Sequence, residues 1–357
     1  MFFQESRQTR LGILGGGQLG RMIAGAAHEF GIKTHIFTDQ KQAPALEVTP
    51  YRTIAAYDDL DALERFAQQV DWITFEFENI PIQYLKLLEQ QGIKFKPNVR
   101  SLAVSQDRLY EKSLMQQLKI PTTRFTAIDT YQALQRALEA STKTSPSILK
   151  TRTLGYDGKG QVLIEHLDQA AHAWQCLKQA PAILESFVDF VQEVSIITAR
   201  SSRGEIRHFP LVSNRHKNHI LAETLVPAAV SATVHEQAQR IAMRLVEHLN
   251  LVGLLTVEFF LTADQQLIVN EIAPRPHNSG HWAQDFCDTS QFEQLVRAVI
   301  NMPLGSVGYR RARMLNLLGQ DLEQLEQFIS DPLAKVHLYG KTETKPGRKM
   351  GHVNLPI

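Results

Sequence analysis

The stretch "LLTVEFFLTADQQLIVNEI" (254–272) contains two apolar runs separated by a short polar turn. Such runs, rich in β-branched and aromatic residues, predict two antiparallel strands. If they pair about residues 264–265, Glu258 lies directly across from Glu271. Facing carboxylates repel each other, because the Cβ atoms of such a pair are about 4.5–5.5 Å apart. A divalent cation removes that repulsion, so this register predicts a magnesium site at Glu258 and Glu271, with Asn270 as a further oxygen ligand.

The predicted hairpin leads into "NEIAPRPHNSGH" (270–281). Pro274 and Pro276 keep the backbone at Arg275 extended, which fixes the direction of that guanidinium and of His277. A guanidinium suits a planar, carboxylate-like anion. Two readings compete with a ligand site here. The acids of the hairpin could be solvated surface residues, although their apolar flanks disfavour this. The other reading is a zinc site, disfavoured by its irregular spacing, formed by His277, His281 and Cys287.

A first glycine-rich loop, "GGGQLGR" (15–21), follows an apolar strand and precedes a helical pattern. Gly15, Gly17 and Gly20 match G-x-G-x-x-G, which lets the backbone approach a phosphate at a helix N-terminus. Asp39 ends the next strand, where a dinucleotide fold carries its ribose-binding acid. The loop is therefore compatible with a nicotinamide oxidoreductase, with another anionic ligand or with a tight turn needed for packing. Nothing downstream resembles a hydride-transfer site, which favours a different anionic ligand.

A second glycine-rich loop, "KTRTLGYDGKGQ" (150–161), joins two predicted strands. It does not match a Walker A loop, because the G-x-x-x-x-G-K-[ST] pattern fails and no helix follows. A glycine-rich flap between strands can instead close over a triphosphate, offering backbone N–H groups and lysine charge. Lys150, at the end of the preceding strand, can reach phosphate oxygens. The alternative is an exposed hairpin with a basic tip.

The C-terminal segments "KVHLYGK" and "RKMGHVNL" predict a final hairpin. Lys341 and Arg348 flank its turn and would lie across from each other. Lys345 and Lys349 are close by, and Glu343 is the only acid. Facing cations suggest a bound phosphate, and the alternative is a solvated basic hairpin.

The remaining pattern describes a soluble chain that begins as α/β and continues as α+β. A β-α-β start predicts a parallel sheet, and "SQDRLYEKSLMQQLKI" (105–120) predicts one amphipathic helix. Composition is ordinary, with 43% hydrophobic and 21% charged residues among 357. The net charge of +1 predicts no nucleic-acid partner. Two isolated cysteines, no long apolar run and no signal core predict a cytoplasmic protein without membrane contact.

Taken together, these motifs resemble the ATP-grasp superfamily. Within it, "GGGQLGRM", "EFEN", "GYDGKGQ", "NEIAPRPHNSGH" and "YGK…PGRKMGH" are similar to the 5-(carboxyamino)imidazole ribonucleotide synthases. The resemblance spans about residues 10–354. It implies a three-domain ATP-grasp architecture that begins with a Rossmann-like parallel-sheet domain. The implied domains are 1–97 for substrate, 98–188 for a lid with the flap, and 189–357 for the metal site and basic hairpin.

The resemblance also implies roles for individual residues. Residues 185–188 would be the adenine hinge, and Glu193 would take the ribose hydroxyls of ATP. The full implied ATP set is Arg108, Lys150, Gly155, Tyr156, Asp157, Gly158, Lys159, Gly160, Gln161, Glu185, Ser186, Phe187, Val188, Glu193, His216, Asn270 and Glu271. The implied site for aminoimidazole ribonucleotide is Gln18, Leu19, Glu76, Asn278, Lys341, Arg348 and Lys349. The implied catalytic residues are Tyr156, Asp157, Arg275 and His277, and the metal ligands are Glu258 and Glu271.

The implied reaction joins bicarbonate to the amine of aminoimidazole ribonucleotide at the expense of ATP, with magnesium. The resemblance further implies a homodimer and a separate mutase that receives the product. The sister formate-dependent glycinamide ribonucleotide transformylase shares most of this plan. Gln18, where the sister enzyme has an acid, and the flap "GYDGKGQ" favour the carboxylating enzyme. A nucleotide-binding module without catalysis is a third hypothesis, which the intact Lys150, Glu258 and Glu271 disfavour.

Overall fold

The structure is a computed structural model that describes residues 9–141, 146–155 and 158–357. Its strands form three sheets. The first is a parallel four-stranded sheet of order β3-β2-β1-β4, which confirms the predicted β-α-β start. Its elements are β1 (Arg10–Leu14), α1 (Gln18–Glu29), β2 (Lys33–Thr38), β3 (Tyr51–Ile54), α2 (Leu60–Ala67), β4 (Trp72–Phe75) and α3 (Ile82–Gln90), with a 3-10 turn at Pro44–Glu47.

The helix predicted over 105–120 is two helices, α4 (Val99–Gln106) and α5 (Arg108–Gln117). Asp107 separates them in an extended conformation, and its carboxylate accepts a hydrogen bond from the N–H of Leu109 at 2.8 Å. Arg152 also holds Asp107, with Nη2 2.6 Å from Oδ2. The single-helix prediction is wrong, because a distant arginine and a local cap stabilise the break that periodicity cannot reveal.

The second sheet is a lid of order β5-β8-β6-β7 with its own apolar core, which includes Leu149 and Trp174. The flap connects β6 to β7. The sequence predicts lid strands over 161–167 and 182–188, and these strands end earlier, at Ile164 and at Ser186. Its elements are β5 (Phe125–Ile128), α6 (Tyr131–Ser141), β6 (Ser147–Thr151), β7 (Gln161–Ile164), a 3-10 turn at Leu167–Gln169, α7 (Ala170–Cys176) and β8 (Ala182–Ser186).

The third sheet has nine strands of order β14-β13-β9-β11-β12-β15-β17-β16, with β10 paired to β9. Its elements are β9 (Gln192–Arg200), β10 (Ile206–His208), β11 (Val212–Lys217), β12 (Ile220–Val226), α8 (Ala232–His248), β13 (Gly253–Leu261), β14 (Leu267–Ala273), α9 (Ala283–Phe286), α10 (Gln291–Val299), β15 (Ala312–Leu318), α11 (Leu325–Ser330), β16 (Lys335–Leu338) and β17 (Lys349–Pro356), with 3-10 turns at Asn278–Gly280 and Gly319–Gln324.

The two faces of this sheet differ. On one face, Val257 packs with Ile241 of α8 in a continuous apolar core. On the other, Ile197 and Leu254 belong to a core that also contains Ile23 of α1. This second face becomes polar further along the same strands, where Ser195 pairs with Glu258. Because the apolar part binds the first domain, the polar part lies close to the junction of the domains and forms the floor of a cleft.

Candidate active site

The acid pair has the predicted register: Glu258 of β13 lies across from Glu271 of β14. A β-bulge follows Glu258 and leaves Asn270 outside the pairing. Burial, reinforced by the charge of Glu258, raises the pKa of Glu271. Burial also disfavours the Glu258 carboxylate, but His277, with Nε2 2.8 Å from Oε1, outweighs it and lowers the pKa of Glu258 to about 2. The two acids therefore have different neighbours: His277 contacts Glu258, whereas Arg108 lies 3.9 Å from Glu271.

Two buried charged residues of α5, Glu111 and Lys112, contact the backbone of this hairpin. The Lys112 ammonium of α5 donates to the carbonyl oxygens of Asn270 at 2.6 Å and Val269 at 3.1 Å, which holds the bulge. It also lies 4.0 Å from Glu185 of the lid. The neighbouring Glu111 accepts from the N–H of Ile272 at 2.6 Å, and burial raises the pKa of Glu111 to about 8. Sequence reasoning missed Glu111 and Lys112, because both occur in an ordinary amphipathic helix.

Arg108 lies between the base of the flap and the acid pair. Its guanidinium lies 3.3 Å from the carbonyl oxygen of Thr151, 3.4 Å from that of Gly155 and 3.9 Å from Oε2 of Glu271. Gly158 and Gly160 have positive φ values of 77° and 74°. A Cβ on Gly158 would overlap the side chain of His219 in the β11–β12 turn, so the flap reaches the large sheet. Lys159 and Gln161 complete the described flap, whereas Tyr156 and Asp157 lie outside the described residues.

The predicted hinge, residues 185–188, continues from the last strand of the lid. Lys150 donates to Glu185 at 3.0 Å, and Thr123 donates to the same oxygen at 3.0 Å. Burial opposes the Glu185 charge, but Lys112 and Lys150 lower its pKa to about 2. The N–H groups of Ser186 and Phe187 donate to backbone carbonyls of Arg124 and Pro146, which holds the start of this segment against the lid.

Glu193 of β9 and His216 of β11 form a second pair on the polar face. Nδ1 of His216 lies 2.7 Å from Oε2 of Glu193. Burial lowers the pKa of His216, but the Glu193 carboxylate more than offsets it and raises the pKa. Both residues were predicted to contact the nucleotide, and the structure brings them together beside Glu258.

Arg275 is paired with an acid from the first domain: its Nε lies 2.6 Å from Oε1 of Glu78. This contact ties the loop after β14 to the segment after β4. The sequence prediction named Arg275 and Glu76 but missed Glu78. The signal was present, because Glu78 is the second acid of the quoted "EFEN" motif.

The first glycine-rich loop contains a carboxylate of the chain itself. Glu76 accepts hydrogen bonds from the N–H groups of Gly17 and Gly20. A Cβ on Gly15, Gly17 or Gly20 would overlap the Glu76 side chain. Burial raises the pKa of Glu76 to about 7, against these hydrogen bonds and the charges of Arg275 and Lys341. The expected anion at this helix N-terminus is therefore a side chain, which occupies the place of a dinucleotide phosphate.

The other residues predicted for the ribonucleotide lie around Glu76. Gln18 and Leu19 begin α1 beside it. Asn278 follows Arg275 and His277, and neither of its buried amide atoms has a hydrogen-bond partner within the described part of the chain. Buried amides normally find partners, so this one suits a bound ligand. The charge of Lys341 acts on Glu76, which places the basic hairpin at the same cleft.

The basic hairpin is confirmed as β16 and β17, paired with His337 across from His352. The sequence predicts that Lys341 and Arg348 face each other across this hairpin. That prediction is wrong, because both residues lie outside the paired strands. Lys341 donates to the carbonyl oxygen of Lys349 at 2.7 Å. Arg348 lies 3.6 Å from Glu343, which neutralises part of the positive charge.

Three family models match the chain in succession. A ribonucleotide synthetase preATP-grasp domain matches residues 8–106, an ATP-grasp domain matches 113–292, and a phosphoribosylaminoimidazole carboxylase C-terminal domain matches 312–356. An N5-carboxyaminoimidazole ribonucleotide synthase from Brucella melitensis is 45% identical over 97% of this chain and 95% of its own length. The chain belongs to the N5-carboxyaminoimidazole ribonucleotide synthase family.

A solved synthase from Aspergillus clavatus, in complex with ADP and 5-aminoimidazole ribonucleotide, has a TM-score of 0.92 and 27% identity, covering 100% of this chain and 95% of that one. The chain is also 42% identical, over 97% of its length, to a bifunctional purine synthesis protein purC/E from Dictyostelium discoideum, of which it spans 37%. These likenesses confirm the predicted family and fold class. They favour the carboxylating synthase over the formate-dependent transformylase, the binding module and the oxidoreductase.

The positions of His277, His281 and Cys287 disfavour the zinc hypothesis. Residues 9–141, 146–155 and 158–357 contain no group of three or more His, Cys, Asp and Glu side chains that could hold a metal ion. His277 contacts Glu258, whereas His281 stacks on His352 with ring centroids 4.7 Å apart. Burial raises the pKa of the Cys287 thiol to about 11, which disfavours a thiolate ligand. In the described part of the chain, no helix is long and apolar enough to span a membrane.

Proposed function

We propose that this chain carboxylates the amine of 5-aminoimidazole ribonucleotide, using ATP and bicarbonate, to give 5-carboxyaminoimidazole ribonucleotide. The observation that supports this most directly is the Glu258–Glu271 pair, with Arg108 on one side and His277 and Arg275 on the other. The relatives' names give the same product. An acid pair beside a flap suits a nucleoside triphosphate. The adjoining Arg275 and His277 suit an anion of the size of a carboxylate.

ATP would lie between the lid and the large sheet. Its adenine would contact residues 185–188, its ribose would contact Glu193, and His216 would orient that carboxylate. The phosphates would lie under the flap, where Arg108 and Lys150 approach from its base. Backbone N–H groups of the flap and these cations would stabilise the charge that develops during phosphoryl transfer.

Glu258, Glu271 and the neighbouring Asn270 fit a magnesium ion. Glu258 and Glu271 face each other across the hairpin, and like charges so placed repel unless a cation lies between them. Two carboxylates together with nucleotide phosphates are an ordinary magnesium environment. When bound, the ion would neutralise phosphate charge. The chain's own part is to hold the two acids in register, which the bulge and Lys112 maintain.

The proposed chemistry has two stages. An oxygen of bicarbonate attacks the γ-phosphorus of ATP, and the bond to ADP breaks to give carboxyphosphate. The exocyclic amine of the ribonucleotide then forms the N–C bond with the carboxyl carbon, directly or after release of carbon dioxide, while phosphate leaves and the amine loses a proton. Arg275 and His277 would position the carboxyl group. Tyr156 and Asp157 would orient or deprotonate the amine, and closure of the flap would exclude water.

The ribonucleotide would lie between the first domain and the basic hairpin. Glu76, fixed by the first glycine loop, and Asn278 would contact its polar groups, beside Gln18 and Leu19. Its phosphate would bind the cations of the final hairpin, which are Lys341, Arg348 and Lys349. The glycine loop thus serves the substrate through Glu76 and not by direct contact with a phosphate.

The wider setting is also proposed. We infer domains at 1–97, 98–188 and 189–357, a cytoplasmic homodimer, and a separate mutase that consumes the product. The three sheets, with junctions near these boundaries, support the division.

The first test measures ADP release with magnesium and bicarbonate, with and without 5-aminoimidazole ribonucleotide. Release that rises sharply only with this ribonucleotide is the expected result. Stimulation by formate and glycinamide ribonucleotide instead would transfer the chain to the sister reaction. Absence of ADP release under all of these conditions would contradict the proposal.

A further inference from the structure

A row of hydroxyl and amide side chains lies buried behind His277. It consists of Ser279, Ser195, Asn214 and Thr224, of which Asn214 is the most exposed at 8%. Burying four polar side chains costs stability unless each is hydrogen-bonded. All four are hydrogen-bonded, and within the described part of the chain their side chains bond to one another and to His277. We call this row the His277 relay.

The sheet register explains why these side chains meet. Ser195 of β9 pairs with Glu258 of β13, and Asn214 of β11 pairs with Thr224 of β12. Asn214 also pairs with Glu193, which lies on the same face as Ser195 because side chains alternate along a strand. The relay therefore crosses three strands of the polar face and ends beneath the metal-site acid that His277 contacts.

Each hydrogen bond in the relay has a direction. Thr224 donates to Oδ1 of Asn214 at 3.0 Å, and Nδ2 of Asn214 donates to Oγ of Ser195 at 2.8 Å. Because Ser195 accepts there, its proton is left for Oγ of Ser279, 2.8 Å away. Ser279 in turn has its own proton left for Nδ1 of His277, also at 2.8 Å. The backbone N–H of Ser279 points at the same nitrogen at 3.3 Å.

We propose that the relay holds His277 as the tautomer with its proton on Nε2 and fixes the ring, so that His277 presents a hydrogen-bond donor to the reaction cleft. On the other side of the ring, Nε2 lies 2.8 Å from a Glu258 carboxylate oxygen, which only accepts. The proton on one imidazole nitrogen is set by the bond at the other nitrogen. Ser279, Ser195, Asn214 and Thr224 are thus positioning residues that act through His277.

The consequence for the reaction rests on the proposed function. An Nε2–H donor can hold an anionic oxygen of the bicarbonate-derived group, whereas a bare Nε2 would repel it. When a cation takes over Glu258, the Nε2–H is released towards the cleft with its direction already fixed by Ser279. The relay therefore predicts an effect on turnover and no effect on ATP binding, because none of its side-chain hydrogen bonds goes to the described part of the flap or to the hinge.

The decisive measurement is the ¹⁵N NMR signature of His277 in the full protein, assigned by its disappearance in His277→Gln. The wild type should show a protonated Nε2 and an unprotonated, hydrogen-bonded Nδ1. Asn214→Asp replaces the amide donor by a carboxylate, which only accepts, so Ser195 should turn towards it and the hydrogen bond from Ser279 to Nδ1 should weaken. A wild-type signature with the proton on Nδ1 would overturn the proposal. So would an unchanged signature in a folded Asn214→Asp variant.

A second variant covers the possibility that Asn214→Asp does not fold. Ser279→Ala removes the closer donor to Nδ1 and leaves the backbone N–H at 3.3 Å, so the hydrogen-bonded signature of Nδ1 should weaken. Turnover with bicarbonate and ribonucleotide should fall about ten- to hundredfold, as for other outer partners of a functional histidine, with the KM for ATP within about twofold of wild type. The relay would be contradicted if the loss of activity appeared only as a higher KM for ATP. An unchanged ¹⁵N signature of His277 would also contradict it.

Thr256→Val is the matched control. Thr256 lies two residues before Glu258 on the same face and is fully buried, and its hydroxyl has no hydrogen-bond partner among the described residues. Removing this hydroxyl should change neither the His277 signature nor turnover. The NMR result does not require activity. If wild-type ADP release ignores the ribonucleotide, the proposed function fails while the tautomer assignment stands or falls separately.

Discussion

The two glycine-rich loops are similar in sequence but differ in which groups contact their backbones. The first, around Gly17, is filled by the carboxylate of Glu76, whose oxygens accept from the loop N–H groups. The second, around Gly158, has positive φ values, extends to His219 and begins beside Arg108 and Lys150. A glycine pattern therefore indicates that something approaches the backbone closely. What approaches depends on residues far away in sequence.

The largest expected effect comes from the acid next to the second loop. Glu271→Gln removes a carboxylate that faces Glu258, and we expect magnesium-dependent ADP release to fall by at least about a hundredfold. The fold should survive, because the change relieves repulsion between two facing carboxylates. Steady-state ADP release and a thermal melt measure both parts. Glu236→Gln, on the exposed face of α8, is the control and should behave as wild type. Normal turnover in Glu271→Gln would remove the metal assignment.

The next effect separates the two loops directly. Gly17→Ala places a methyl group on Glu76, and we expect it to cost about 1–3 kcal/mol of unfolding free energy, as overpacked cores do. Gly158→Ala forces a side chain into positive φ and against His219, at the edge of the lid. It should reduce turnover or raise the KM for ATP while the melting temperature changes little.

Urea denaturation gives the unfolding free energy of each variant, and steady-state kinetics give its use of ATP. Together these measurements test the difference between the two loops. Loss of stability should appear in Gly17→Ala and loss of ATP use in Gly158→Ala. If Gly158→Ala were the less stable protein and Gly17→Ala the poorer ATPase, the assignment of the two loops would be reversed.

The contrast also shows how far sequence reasoning reaches. The facing of Glu258 and Glu271 could be predicted, because side chains alternate along strands and the turn fixes the register. The cap at Asp107, the Lys112 bonds to the bulge and the Glu76 contact could not be predicted from spacing. Each joins residues from different elements, and nothing local marks them. The alternation that fixes a pair within one hairpin does not predict which side chain enters a distant loop.

A smaller effect concerns the proton on Glu76. Its pKa in the folded protein is raised from 4.5 to about 7 by burial, so the folded state binds this proton more tightly than the unfolded chain does. The resulting stabilisation is fully present below pH 4.5 and is lost as the pH rises through about 7. Urea midpoints of the wild type should therefore fall over this range relative to Glu76→Gln. A constant difference between the two proteins would show that the loop holds Glu76 at its ordinary pKa.

The smallest expected effect is a gain in stability. It distinguishes a glycine that the fold requires from one that the fold does not require. Gly25 lies in α1 just beyond the first loop, is exposed, and has no atom within 4 Å of the position of an added Cβ among the described residues. Gly25→Ala should stabilise the protein by about 0.5–1 kcal/mol, because alanine loses less entropy in a helix. Turnover should not change. Because Gly17 and Gly25 begin and continue the same helix, opposite signs at the two positions would show that the Glu76 contact, and not the helix, requires the glycine at Gly17. Equal destabilisation at both would mean that the helix start tolerates no side chain for reasons unrelated to Glu76.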